Sequence, residues 1–280
     1  MLQITDDKIK WLEEKARDIR VSIIEMLVEA GSGHPGGALG MADIFSALYF
    51  FILKHDPTNP EWNDRDRLVL SNGHICPVLY ATLAHSGYIK MEELKTLRKF
   101  GSRLQGHPDR RFLPLLETTS GPLGCGLSQA VGMCLADGMD SGMHSEKQFY
   151  CILSDGELDE GNIWEAVMLG AKERLQNLTV IIDRNKIQLS GDTESIMPLE
   201  PLGAKWEAFN WHVQTINGNN IQEIIKAVSQ AQAVFDKPSV IIAQTIPGKG
   251  VSFMEGKWQW HGKPLTKEEA EQALSELKNA

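Results

Sequence analysis

The chain has 280 residues, 42% of them hydrophobic and 23% charged, a balance that builds one ordinary globular core under a solvated surface and argues against disorder. Its formal net charge of −9 argues against a general nucleic-acid binder, which needs a basic face. Cys76, Cys125, Cys134 and Cys151 form no Cys-x-x-Cys pair, so a zinc site is not expected and free thiols in a reducing compartment are.

The N-terminus, Met1 to Asp7, carries no basic region or apolar core of a leader, and no apolar stretch approaches a membrane span. A cytoplasmic protein is expected. Asp6 to Ala30 reads as a long helix, because Ile9, Leu12, Ala16, Ile19, Ile23, Ile24 and Leu27 recur at helical spacing. Gly31 to Gly37, with four glycines and a proline, reads as a tight loop. Met41 to Leu53 reads as an apolar helix with Tyr49, Phe50 and Phe51 in the core. The polar segment His55 to Arg67 precedes a short strand, Leu68 to Ser71, and Asn72-Gly73-His74 turns out of its end. Helices are expected over Cys76–Ala84 and Met91–Phe100. Gly101 to Ser120 should be irregular, and a stretch of that length is usually functional or disordered. Gly121 to Gly126 then opens a helix from Leu127 to about Met139.

Phe149 to Leu153 and Leu178 to Ile182 are continuous apolar runs of the kind found in buried strands, with an amphipathic stretch, Ile163 to about Leu175, between them. Strand, helix, strand is a parallel crossover. It sets Asp155-Gly156 and Asn185 at the carboxyl ends of neighbouring strands, where open α/β sheets hold ligands. A carboxylate and an amide oxygen beside a glycine suit a hard cation carrying a diphosphate, although Asp-Gly is equally a common turn dipeptide. A polar loop follows through Asp192. Strands are expected at His212–Ile216 and Ser239–Ile246, and helices at Ile221–Phe235 and Thr266–Leu277, the last with Thr266 and Glu269 as a capping box. The alternation implies one α/β domain over residues 1–280, a doubly wound, mainly parallel sheet with helices on both faces.

Four of the eight histidines, His34, His74, His107 and His261, sit beside a glycine in irregular segments, whereas His55 and His144 lack such context and read as ordinary structural histidines. With these residues in view, the chain resembles the N-terminal, diphosphate-binding part of transketolase. Ser32-Gly33-His34-Pro35-Gly36, Leu70-Ser71-Asn72-Gly73-His74, Gly106-His107-Pro108, Gly121-Pro122-Leu123-Gly124, Ser154-Asp155-Gly156-Glu157 and Trp260-His261-Gly262 occur in that family's order. The resemblance implies thiamine diphosphate and Mg2+ (or Ca2+ or Mn2+) as cofactors. It implies that Asp155, Asn185 and the Ile187 carbonyl ligate the metal. Gly156 and His74 would meet the diphosphate, and Gly121, Pro122 and Leu123 would line the cofactor. His34, His107 and His261 would face the substrate, with His261 also near the cofactor.

Glu160 and Glu165 are either acids favoured by a helix N-terminus or, as in the family, part of an acidic network between subunits. Three positions depart from the family: Ser154 and Gly37 replace a glycine and a serine, and Pro247 replaces a lysine, with Lys249 two residues away. No residue matches the family's aminopyrimidine-binding glutamate. The implied protein is therefore one subunit of a split transketolase, working with a separate C-terminal subunit in a heterotetramer of two copies each. It would transfer a two-carbon ketol unit from a ketose phosphate to an aldose phosphate in pentose phosphate metabolism. The alternatives are an α subunit of a 2-oxoacid dehydrogenase E1 component, a transketolase specialised for an unusual ketose phosphate or sulfo-sugar, and a non-catalytic module that kept the fold.

Overall fold

The computed structural model describes residues 4–141 and 146–279. Met1–Gln3, part of the N-terminal segment read above for a leader, and His144 lie outside the described residues. In chain order the elements are α1 (Asp6–Ala30), α2 (Pro35–Gly40), α3 (Ala42–Ala47), β1 (Arg67–Leu70), α4 (Cys76–His85), α5 (Cys125–Ser141), β2 (Phe149–Ser154), α6 (Gly161–Lys172) and β3 (Leu178–Arg184). They continue with β4 (Ile187–Gln188), β5 (Gly191–Asp192), α7 (Thr193–Ile196), α8 (Leu202–Ala208), β6 (His212–Asn217), α9 (Ile221–Gln232), β7 (Ser239–Gln244) and α10 (Lys267–Lys278).

Five strands form one parallel sheet in the order β1-β2-β3-β7-β6. Every residue of β2 and β3 is buried, which is why these strands read as unbroken apolar runs. Side chains of β2, β3 and β7 alternate between two cores. Tyr150, Ile152, Ile181 and Ile241 face α1, α3, α4 and α9. Cys151, Leu153, Val180, Ile182, Val240 and Ile242 face α5, α6 and α8. Burying each such aliphatic side chain contributes about 1.5–3 kcal/mol. Strand propensity spans only about 1 kcal/mol, so packing on both faces holds the sheet. The doubly wound expectation is met.

The helix ends follow local chemistry. Thr5 caps α1 by accepting from the Lys8 amide, and Gly31 ends it in the left-handed region. The Thr266–Glu269 capping box of α10 is present in both directions. His55 is held between the Tyr88 hydroxyl at 2.9 Å and the Tyr49 carbonyl at 2.7 Å, a satisfied structural group.

Several local expectations are corrected. The glycine-rich loop ends at His34, because Pro35 starts α2, where a missing N–H costs nothing. A Cβ on Gly36 or Gly40 would lie 2.9 Å from the Trp260 or Ile246 carbonyl oxygen, so these glycines let two backbones touch. Met41–Leu53 is α3 followed by a π-helical turn, Leu48–Ile52, and Tyr49, Phe50 and Phe51 are only partly buried at the core's edge. Met91–Phe100 is no α-helix. A 3-10 segment stops at Thr96, and Arg98 takes φ 60° as its amide turns to the Leu104 carbonyl. The loop after Asn185 holds the β4–β5 hairpin and α7, and α8 follows it.

Candidate active site

The sheet's connections diverge at β3. The chain leaves β2 and β3 toward the face covered by α6 and α8, and leaves β7 toward the other face, where Val251, Met254 and Trp260 pack. This divergence between β3 and β7 is the switch point at which such sheets hold ligands, in the crevice outside the strands' carboxyl ends. Asp155 follows β2 and Asn185 follows β3, as their spacing predicts.

Asp155 is fully buried. Its Oδ1 accepts from the Gly156 amide at 2.8 Å, and its Oδ2 accepts from the Lys186 amide at 2.6 Å and Arg184 at 3.0 Å. Burial outweighs these bonds and lifts its carboxyl to about 6. Asp183 is also fully buried and is pushed up to about 7, first by burial and then by the nearby Asp155 charge. Its oxygens accept from the Thr245 hydroxyl and from Asn185 Nδ2. That bond fixes the Asn185 amide, whose Oδ1 accepts from the Ile187 amide at 3.0 Å. Among the described residues no three His, Cys, Asp or Glu side chains converge as a metal centre. Asp155 and Asn185 instead bring one carboxylate and one amide oxygen to neighbouring strand ends, and buried Ile187 opens β4 two residues on. So sparse an oxygen set suits an ion that keeps water and phosphate ligands.

The four glycine-flanked histidines do come together. Ring centroids of His34 lie 5.3 Å from His74, 5.7 Å from His261 and 6.4 Å from His107, and His74 and His261 are 5.1 Å apart. Close loop contacts build the cluster. A Cβ on Gly73 would lie 2.9 Å from Ser120 Cβ and 3.3 Å from Pro108 Cδ, and one on Gly262 would lie 3.4 Å from His34 Cδ2. Burial, reinforced by neighbouring His261, Arg98 and His107, lowers His34 to about 4. Burial also takes His74 well below the usual histidine range and lowers His107 and His261. The cluster is a set of neutral imidazoles at pH 7.

Among the described residues, several polar groups around the crevice have no partner. His34 Nδ1, His261 Nδ1, both side-chain polar atoms of Asn72 and Ser120 Oγ are buried without a hydrogen bond. Buried polar atoms are nearly always paired, so an orphaned group of this size marks the seat of a polar ligand. With the oxygen set at the strand ends, the residues fit a magnesium-held diphosphate cofactor.

Sequence reasoning missed three groups. Glu157 is fully buried and accepts from Ser71 Oγ at 2.5 Å and the Gly124 and Ser154 amides at 2.7 and 3.1 Å, which ties three site loops to one carboxylate. Asp183 and Arg184 end an apolar run, and two buried charges in a central strand were the available signal. Arg98 donates to Ser32 Oγ at 3.5 Å and to the Gly106 carbonyl at 3.3 Å, bridging the His34 and His107 loops. Gly121, Pro122 and Leu123 lie just before α5, and a Cβ on Gly121 would meet nothing among the described residues within 4 Å. Glu160 and Glu165 are exposed at the start of α6. Lys249 lies 3.7 Å from Glu255.

The profile of the family described as the transketolase thiamine diphosphate binding domain matches residues 12–278, so the chain belongs to that family. It is 48% identical to a 6-deoxy-6-sulfo-D-fructose transketolase subunit from Clostridium sp. (strain MSTE9), covering 95% of this chain and 96% of that one. It is 40% identical to an apulose-4-phosphate transketolase subunit from Phocaeicola vulgatus, over 96% of this chain and 95% of the relative. A solved transketolase from Leishmania mexicana superposes with a TM-score of 0.91 at 35% identity. That match covers 95% of this chain but only 41% of the solved one.

Proposed function

We propose that this chain is the diphosphate-binding subunit of a thiamine diphosphate- and Mg2+-dependent transketolase, with Ca2+ or Mn2+ as substitute ions. It transfers a two-carbon ketol unit between sugars in a heterotetramer with a separate C-terminal subunit, two copies of each. The observation that carries this reading is the cluster of four neutral imidazoles beside an oxygen set at the ends of β2 and β3. The subunit-named relatives, matched over nearly their full length, support the two-chain assembly. The four free cysteines fit work in a reducing cytoplasm.

Thiamine diphosphate, when bound, supplies the electron sink for breaking the bond next to a ketose carbonyl. Asp155, the Asn185 amide oxygen and the Ile187 carbonyl would hold the divalent ion. The Gly156 amide and His74 would meet the diphosphate, with Gly121, Pro122 and Leu123 along the cofactor. A neutral imidazole offers one donor and one acceptor. His34, at about 4, is a poor proton acceptor at pH 7, so its work is to orient substrate hydroxyls. His107 and His261 hydrogen-bond the substrate and move protons, His261 from beside the cofactor.

The donor default is a ketose phosphate of the pentose phosphate pathway. The relative named for 6-deoxy-6-sulfo-D-fructose, at 48% identity, favours a sulfonated ketose as the specialised alternative. The test is ketol transfer by the reconstituted complex with each donor, alongside a 2-oxo acid assay for acyl transfer. Turnover by this chain alone would refute partner dependence. Magnesium-dependent retention of thiamine diphosphate should vanish in Asp155→Ala, and full retention would sink the metal assignment.

A further inference from the structure

Arg184 is the last residue of β3 and is 1% exposed. One terminal nitrogen donates to Asp155 Oδ2 at 3.0 Å and to Thr193 Oγ1 at 2.8 Å. The other donates to Glu194 at 2.6 Å and to Glu200 at 3.0 Å. Only a planar fork of five donors reaches all four groups from one buried position. Both glutamates are partly exposed, with side-chain accessibilities of 39% and 54%, and they balance the guanidinium from the solvent side.

The consequence falls on Asp155. A carboxylate has two oxygens and about four lone-pair sites. Arg184 and the Lys186 amide together fill both sites on Oδ2. Among the described residues Oδ1 accepts one bond, from the Gly156 amide, and keeps a site open. We propose that Arg184 is a specificity-determining residue for the divalent ion, because by filling Oδ2 it confines Asp155 to binding metal through Oδ1 alone. The inference rests on the reading of Asp155 as a metal ligand. A one-oxygen carboxylate suits Mg2+, which demands near-ideal octahedral geometry, whereas Ca2+ takes six to eight oxygens and readily accepts a carboxylate through both. Arg184 therefore tilts the site toward the smaller ion.

A purely structural clamp would not change the preference between two ions of equal charge. Removing a cation changes the field felt by Mg2+ and Ca2+ alike, so that effect cancels in their ratio. The test uses the full chain with its partner subunit and thiamine diphosphate. Bound Mn2+ is followed by electron paramagnetic resonance and displaced by Mg2+ or by Ca2+. In Arg184→Met the displacement ratio should move about tenfold toward Ca2+, the lower end of what outer-shell partners of metal ligands typically contribute. Thr193→Val, which trims the fork but leaves Oδ2 filled, should keep the wild-type ratio. Melting without metal checks the fold. If Arg184→Met does not fold, Arg184→Leu, which also lacks a donor, carries the test with the same expected direction. A wild-type ratio in the folded Arg184 variant, with Mn2+ binding abolished in Asp155→Ala, overturns the proposal alone. Wild-type Mn2+ binding in Asp155→Ala overturns the ligand reading, and the proposal with it.

Discussion

Acid should unfold this chain partly through one imidazole. His34 sits at about 4 in the folded chain against 6.5 for the unperturbed group, with burial the main cause. A folded-state value below the unfolded one means that the unfolded chain binds more protons between those two limits. Stability from His34 is fully present above pH 6.5 and is lost as pH falls toward 4. Integrating the linkage gives a loss of about 1 kcal/mol at pH 6 and about 2 kcal/mol at pH 5. His74, His107 and His261 act in the same direction, while buried Asp155 and Asp183, whose values are raised, act in the opposite one. Because of that opposition, the informative quantity is the difference between wild type and His34→Asn. Urea unfolding of both at pH 7.5, 6 and 5 should show the variant losing less stability on acidification, by about 2 kcal/mol at the lowest pH. Parallel stability curves for the two proteins would refute the burial argument.

Glu157→Ala should cost about 3 kcal/mol or more in urea unfolding, because three buried donors lose their acceptor together. Glu157→Gln keeps one acceptor oxygen and should cost less. Gly126→Ala would bring a Cβ to 2.4 Å from Ser71 Cβ and 2.6 Å from Ser71 Cα, so a loss of about 1–3 kcal/mol is expected from overpacking and is read from the same transition. Thr266→Ala removes half of the capping box of α10 and should lower stability by about 1 kcal/mol, measured by thermal melting.

The legible parts of the fold are those where local pattern and tertiary demand agree. β2 and β3 are covered on both faces, so their composition is apolar throughout. The Thr266–Glu269 box is a short-range device visible in four residues. The four histidines are legible because glycine beside histidine in irregular segments is an uncommon pairing. The misses share a cause in long-range contacts. Nothing local says that Pro35–Gly40 is helical, since its glycines answer to carbonyls of Trp260 and Ile246 more than two hundred residues away. The Met91–Phe100 pattern promises a helix, but the bond from Arg98 to Leu104 turns the chain first. Arg184 escapes notice because a charged residue at a strand end looks like solvent-facing punctuation. Its carboxylate partners come from three separate segments, and no window in the sequence contains them together.

The Glu157 clasp also bears on motion. Its three donors come from the end of β1, the end of β2 and the turn before α5, so fraying any one of those loops means breaking bonds that stabilise the other two. The Gly126 amide joins them by donating to Ser71 Oγ at 3.1 Å. Amide exchange at Ser154, Gly124 and Gly126 should then follow a single opening event. The floor of the crevice yields as one unit, and a guest that settles on any part of it slows the breathing of the whole.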